Sequence, residues 1–494
     1  MKLRIDGLVY MAQPEQSLRN IIEQLHMDSR SFSQRPIAAK IAGEIFNLNY
    51  IPVRQKDITT ERSSMRRAME ASQGVIQLIR YADPAGKDIY TRTAQFVLFL
   101  ALHRLYPGAR VKMDCTVGNA LYVEVLTSAF SAEALKAEVQ NLVAGDIPFT
   151  RVRMDLQDAI EMFVKMGQPD KARLLSIREE NYFDVYQYDV FADYYYGELA
   201  PSSGYLQVWD IIPAEGGFMF LFPDDNAPDK VCAPAQMPKF LSVSLEGERW
   251  CELMGCETVA DLNDYVQSGS IRELIRVNEA LHEKRFSQVA DLVCDRGAKA
   301  VMLAGPSSSG KTTSANRLAT QLRVHGKKPV LMSLDDYYID RDKITPGPDG
   351  KMDFEHINTI DTDLFRAHLQ KLLTGEEVTL PCFNFKSGKR QWQEKPMRLD
   401  KDAVVIVEGL HALNPVLMPK DLDEQLVFKL YVSPLLPLNL DNHNRIPTSY
   451  LRLLRRTVRD YETRGSSVQR TLSMWDSVQR GEKRWIFPYQ ENAD

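Results

Sequence analysis

The densest chemistry in the chain lies at Gly305-Pro306-Ser307-Ser308-Ser309-Gly310-Lys311-Thr312. A glycine, four free positions and Gly-Lys-Thr is the spacing at which a tight loop turns several backbone N–H groups onto one anion. The helix that follows adds its positive end. Lys311 would reach the β- and γ-phosphates of a nucleotide, and the Thr312 hydroxyl would ligate Mg²⁺. Four fixed positions of this kind turn up by chance in about one such chain in fifty, so the flanking elements have to decide. Two further sets of side chains suit the same chemistry. Asp335, in Asp335-Asp336-Tyr337-Tyr338, is a carboxylate that could accept a hydroxyl proton, as phosphoryl transfer to an alcohol requires. Arg452, Arg456 and Arg459 recur at i, i+4, i+7, with Arg464-Gly465 following. A cationic helix face is usually solvated, but beside a phosphate loop it reads as a lid over the transferring phosphate.

The elements that must position these residues are legible around them. Ala298 to Ala304 is short and apolar, a strand entering the loop, and Ala315, Leu318, Ala319 and Leu322 repeat as one helix face leaving it. Pro329 to Leu334 reads as a second buried strand that delivers Asp335 at its carboxyl end, where α/β sheets place their ligand chemistry. Ala403 to Gly409 and Val427 to Val432 are a third and fourth strand, the third ending in Glu408 beside a glycine. Strands alternating with helical stretches predict a doubly wound parallel sheet of the α/β class.

Gly305 to Thr313, Leu334 to Tyr338, Asp353-Phe354-Glu355-His356, Phe383-Asn384-Phe385, Val404 to Gly409 and Arg455 to Asp460 with Arg464-Gly465 stand in one order across residues 298–494. Together they resemble the uridine kinase and phosphoribulokinase family of P-loop kinases. The resemblance implies ATP and Mg²⁺ as cofactors and a nucleoside-like hydroxyl as acceptor. Nucleotide binding then falls to Gly305, Ser307, Ser308, Ser309, Gly310, Lys311, Thr312 and Thr313, and the metal to Thr312 and Glu408. Asp335 is the implied base, with Lys311, Arg456, Arg459 and Arg464 on the transferring phosphate. Tyr338, Glu355, His356, Phe383 and Arg390 are the implied acceptor residues. Family members commonly carry tyrosine at the position of Phe383, histidine at that of Gly388, aspartate at that of Glu355 and arginine at that of Ser466. Losing the first two polar groups should cost discrimination among bases. Family members also run on past the Ala-Asp pair that closes this sequence as Asn492-Ala493-Asp494, so a last strand is expected to be missing.

The front of the chain resembles something else. Residues 1–85 hold a strand-like Leu3-Arg4-Ile5, a helix with Leu18, Ile21, Ile22 and Leu25 on one face, and strand candidates at Ile37 to Ala42 and Ile51-Pro52-Val53. They are similar to the β-grasp TGS domain of threonyl-tRNA synthetases. Residues 86–225 carry a buried helix from Arg92 to Tyr106 closed by Pro107-Gly108, a hairpin near Leu121 to Val125, and helices near Ala132 to Val143 and Asp155 to Gly167. Their order resembles the α+β domain with which threonyl- and alanyl-tRNA synthetases edit mischarged tRNA. That domain holds its metal with H-x-x-x-H and C-x-x-x-H pairs, whereas Gln95, Phe99, Tyr195 and Leu199 stand at the matching positions here, none of them a competent zinc ligand. His103 is the nearest imidazole, and a single one on an apolar helix reads as structural. Residues 226–297, with Pro228, Pro234 and Pro238, read as a linker followed by a helix from Ile271 to Asp295 that stops at Arg296-Gly297.

Composition sets the outer limits. At 494 residues the chain is long enough for about three domains. It carries a net charge of -5, which argues against a general nucleic-acid binder, because such binding relies on clustered Lys and Arg. An RNA-associated regulator that uses the phosphate loop as a nucleotide switch is therefore the competing expectation, not the favoured one. No apolar run reaches a membrane span, and Met1 to Asp6 lacks a signal-peptide core, so a cytoplasmic protein is expected, acting on a small molecule and forming a homo-oligomer. The six scattered cysteines read as buried free thiols.

Overall fold

Five consecutive apolar residues without polar alternation suit a strand covered on both faces, and Ala300–Ala304 is buried at every position. It lies inside a four-stranded, all-parallel sheet ordered Lys328–Ser333, Ala403–Glu408, Ala300–Ala304, Val427–Tyr431. The structure is a computed structural model describing residues 2–28, 31–52, 74–127, 129–344, 355–384, 387–435 and 438–494. It divides into two units, one built from residues 1–237, 244–262 and 437–445, the other from 238–243, 263–436 and 446–494.

In the second unit the period-two alternation of strands sorts side chains to opposite faces of the parallel sheet. Val301, Leu303, Val404 and Ile406 pack on Ala290 and Val293 of the helix Ile271–Arg296 and on Ala315, Leu318 and Leu322 of the helix Lys311–Val324. Ala300, Met302, Val405 and Val407 turn the other way, onto Phe365, Leu369 and Leu372 of the helix Thr362–Leu373. Helices thus cover both faces, as the sequence pattern predicts. The helix expected to stop near Arg296-Gly297 does so, with Gly297 at φ 69°.

In the first unit a five-stranded sheet runs in the order Leu8–Met11, Lys2–Ile5, Val75–Arg80, Pro36–Ile41, Glu44–Asn47. Ser17 caps the helix Leu18–Gln24, whose Leu18, Ile21 and Ile22 are buried. The helix Pro84–Leu105 is apolar nearly all round and buried accordingly. It shares one apolar cluster with the first sheet and with a four-stranded antiparallel sheet ordered Asp210–Ala214, Gly217–Leu221, Ala120–Leu126, Arg110–Val117. That cluster runs from Leu3 to Phe222, so one core spans the position near residue 85 where the sequence suggests a boundary. Ile51-Pro52 is not a strand, and Val53 lies outside the described residues.

Two expectations are corrected. Residues 238–254 are helical rather than a linker: Pro238 occupies the first turn, where its missing N–H costs nothing, and Gly255 closes the helix at φ 61°. A second helix, Val259–Gln267, follows. Of the cysteines, Cys115, Cys232 and Cys256 are buried, whereas Cys382 is exposed.

Candidate active site

Gly305 opens the loop because nothing larger fits: a Cβ there would lie 2.1 Å from Val432 O and 2.7 Å from Ser309 Oγ. Ser308 takes a left-handed φ of 60° and Gly310 one of 100°, and these turns curl the chain into the first turn of Lys311–Val324. The Oγ atoms of Ser308 and Ser309 are buried with no hydrogen-bond partner among the described residues. Buried hydroxyls do not ordinarily go unpaired, and at a helix N-terminus the group that suits them is an anion such as a nucleotide phosphate.

Lys311 donates to Pro306 O at 3.2 Å. Burial lowers its pKa, while Glu408, Asp335, Glu355 and Glu482 pull in the opposite direction. Thr312 Oγ1 donates to Glu408 Oε1 at 3.0 Å, so the hydroxyl and carboxylate expected to share a magnesium ion are already neighbours. Asp335 is the second residue of a short 3-10 turn, Leu334–Tyr337, at the end of the strand Lys328–Ser333, and its N–H is held by Ser333 Oγ at 3.2 Å. Burial raises the pKa of Asp335 against the nearby cations Lys311, Arg464 and Arg459. Asp336 acts differently, accepting the Phe383 N–H on its Oδ1 at 3.2 Å and so tying down a neighbouring strand. Burial pushes Glu355 up to about 7, against Arg456 and Lys311 and with the like charges of Glu482 and Asp335.

The remaining acceptor candidates separate. Tyr338 and Phe383 face each other, their ring centroids 5.6 Å apart. His356 accepts the Asn358 N–H at 3.0 Å and sits with its ring 4.3 Å from that of Trp485. Arg390 straps the strand end: its guanidinium donates to Tyr338 O, Tyr337 O and Asp361 Oδ2 at 3.1, 3.0 and 2.8 Å. At Gly388, φ is 68° and a Cβ would meet Arg341 Cδ at 2.6 Å. A histidine at that position would have to take a left-handed backbone and displace the exposed Arg341 side chain. Asp353, Phe354 and Phe385 lie outside the described residues.

The lid candidates all lie on the helix Thr448–Arg464. Arg456 Nη1 donates to Ser307 Oγ at 2.8 Å, and Arg455 Nε to Ser308 O at 3.0 Å. Arg456, Arg459 and Arg464 also gather on Asp460, at 3.3, 2.8 and 3.8 Å. Arg452 is buried and forks onto Glu482, Nη1 to Oε1 at 2.5 Å and Nη2 to Oε2 at 2.8 Å. Glu482 Oε1 accepts the Ser307 N–H as well, at 2.9 Å. Sequence reasoning missed Glu482: it is one more glutamate on the amphipathic helix Val468–Trp485, and nothing local marks it as the group that anchors the phosphate loop.

Comparison with known proteins agrees with this geometry. Residues 300–494 match the phosphoribulokinase / uridine kinase family. The uridine kinase of Brevibacillus brevis is 29% identical over 193 residues, 39% of this chain and 80% of that protein. Two similar proteins are threonine–tRNA ligases. That of Desulforamulus reducens is 24% identical over 203 residues, 40% of this chain, and that of Symbiobacterium thermophilum 22% identical over 301 residues, 58% of this chain. This chain spans only 29% and 40% of those two ligases. The chain therefore carries a P-loop kinase domain related to the uridine kinase and phosphoribulokinase family, and is weakly related to threonyl-tRNA synthetase sequences. No helix among the described residues is long and apolar enough to cross a membrane.

Proposed function

We propose that the chain transfers the γ-phosphoryl group of ATP to a hydroxyl of a nucleoside-like small molecule. The observation that carries this reading is the convergence on Lys311, whose ammonium is acted on by Glu408, Asp335 and Glu355 together, with Thr312 bonded to the first of them. Bound Mg²⁺-ATP would supply the phosphoryl group; Thr312 and Glu408 would hold the metal, and the loop N–H groups with the unpaired Ser308 and Ser309 hydroxyls would hold the phosphates. Asp335 takes the acceptor proton, and its raised pKa makes it the better base. Arg456, already on the loop at Ser307, steadies the phosphate charge, and Asp460 holds Arg459 and Arg464 in reserve beside it. Glu355, its pKa pushed up to about 7, can accept from or donate to a sugar hydroxyl. With Phe383 lacking a hydroxyl and Gly388 lacking a side chain, the acceptor is chosen through its sugar rather than by its base.

For the front of the chain, similarity to threonyl-tRNA synthetases supports reading residues 1–85 as TGS-like and 86–225 as editing-like. Gln95, Phe99, Tyr195 and Leu199 in the metal positions argue against metal-dependent hydrolysis there. The test is ATP consumption against a panel of nucleosides, ribose sugars and tRNA. Asp335→Asn is expected to keep ATP binding and lose on the order of a hundredfold in rate, with Asp336→Asn as control. A collapse at Asp336 with Asp335→Asn near normal would move the base by one residue. ATP binding without turnover on any acceptor would favour the nucleotide-switch reading.

A further inference from the structure

The first unit has a cleft of its own, about 420 Å³, and every residue lining it belongs to that unit. Its volume is within the usual range for small-molecule sites. Phe99, His103, Gln168, Phe191 and His443 contribute to its walls. His443 arrives on a short hairpin, Asn439–Asp441 with Asn444–Arg445, that is built into this unit. Asn439 Nδ2 donates to Met113 O at 2.9 Å, and the Asn442 N–H to Asp170 Oδ2 at 2.7 Å. The His443 ring stacks on Phe99, centroids 3.8 Å apart and planes 7° from parallel. So the phenylalanine standing at a position where the synthetase pattern has a histidine serves here as a platform for another histidine.

His443 Nδ1 lies 2.7 Å from Asp193 Oδ2 and 2.9 Å from Lys171 Nζ, and Lys171 and Asp193 are themselves a fully buried ion pair. With Nδ1 engaged, Nε2 is left to the cleft that the ring borders; no partner meets it among the described residues. His103 also has no hydrogen-bond partner among them, and burial together with the nearby His443 lowers its pKa, which leaves it a neutral imidazole at pH 7. Gln168 Oε1 is a third open group, buried with no partner among the described residues. The cations on the same walls are already matched: Arg110 with Glu257 at 2.7 Å, Arg173 with Asp261 at 2.9 Å, Lys171 with Asp193; Asp170 makes no ion pair among the described residues, and its Oδ2 is taken by the Asn442 N–H. An anionic ligand would lose its hydration and find no uncompensated cation among the described residues in return. Hydroxyls, by contrast, would satisfy three otherwise idle hydrogen-bonding groups set against aromatic rings.

We infer that this cleft is a ligand site, distinct from the phosphate loop, for an uncharged, hydroxyl-bearing small molecule of sugar or nucleoside size, held by hydrogen bonds to His103, His443 and Gln168. Isothermal titration of the full chain with ribose, uridine, adenosine and inorganic phosphate tests it. At least one of the three uncharged probes is expected to bind, and His103→Ala and Gln168→Ala are each expected to weaken that binding about tenfold, the value of one lost hydrogen bond. Glu355→Ala, in the proposed acceptor site, is expected to leave it unchanged, which separates this site from the proposed kinase centre. His443→Phe keeps the stack and removes the bonding nitrogens; should it fail to fold because Lys171 and Asp193 lose a neighbour, the His103 and Gln168 variants still decide. Three results overturn the inference: no uncharged probe binds, binding is indifferent to His103 and Gln168, or phosphate is the only probe whose affinity depends on them. Because the readout is binding and not turnover, a failure of the kinase reading leaves the result interpretable.

Discussion

Removing Arg452 should damage the second unit more than any other single lid substitution. Its side chain is 5% exposed and that of its partner Glu482 1% exposed, so neither charge can fall back on water. Arg452→Met, of similar length, leaves the Glu482 carboxylate buried with the Ser307 N–H as its remaining donor. Breaking a buried pair from one side costs about 3–5 kcal/mol. Coulomb's law gives the same scale, about 4 kcal/mol for two unit charges 4 Å apart at an effective dielectric constant near 20. For a folding unit of this size each kcal/mol moves Tm by about 2–4 °C, so a drop of about 6–20 °C is expected. The double substitution Arg452→Met with Glu482→Leu removes both charges and should recover most of that loss, since apolar replacement of a whole buried pair is often neutral. Scanning calorimetry of the full chain, following the transition that Mg²⁺-ATP shifts, measures all three variants. ATP titration then separates stability from loop geometry, because the double variant regains stability but leaves the Ser307 N–H without its acceptor. A loss below about 1 kcal/mol in Arg452→Met, or a double variant as unstable as the single, would refute the claim that this ion pair anchors the loop.

Other consequences are simpler to state. Lys311→Ala should abolish phosphoryl transfer and leave the fold intact, because among the described residues its ammonium hydrogen-bonds to Pro306 O alone and otherwise serves charge; wild-type turnover in the purified variant would remove the loop from the catalytic site. Glu355 should give stability a pH dependence. Its pKa rises on folding from 4.5 to about 7, so the folded state holds the extra proton and stability falls as pH climbs through that window. Glu355→Gln mimics the protonated form and should match wild type below pH 4.5 while exceeding it at pH 8, as read by urea unfolding at the two values; equal stability at both would show that the carboxyl is not held out of water.

Much of the kinase-like half can be read in order along the chain because its signals are short-range. A buried parallel strand announces itself as an apolar run, a helix as a 3.6-residue stripe, and a phosphate loop as glycines where side chains would collide. Ala300–Ala304, Lys311–Val324 and the Gly297 stop follow from such patterns, and so does the placement of Asp335 and Glu408 at strand ends. The helix Pro238–Met254 does not, because a proline in the first turn of a helix and a proline in a linker look alike until the backbone around them is known. The charged interior lies further out of reach. Glu482 meets Ser307 across 175 residues, and His443 meets Lys171 across 272. Whether Arg390 is free for a substrate or spent on Tyr337, Tyr338 and Asp361 was likewise a matter for the tertiary structure. A buried charge must find its counterpart in space, and spacing along the chain carries no record of which one it finds.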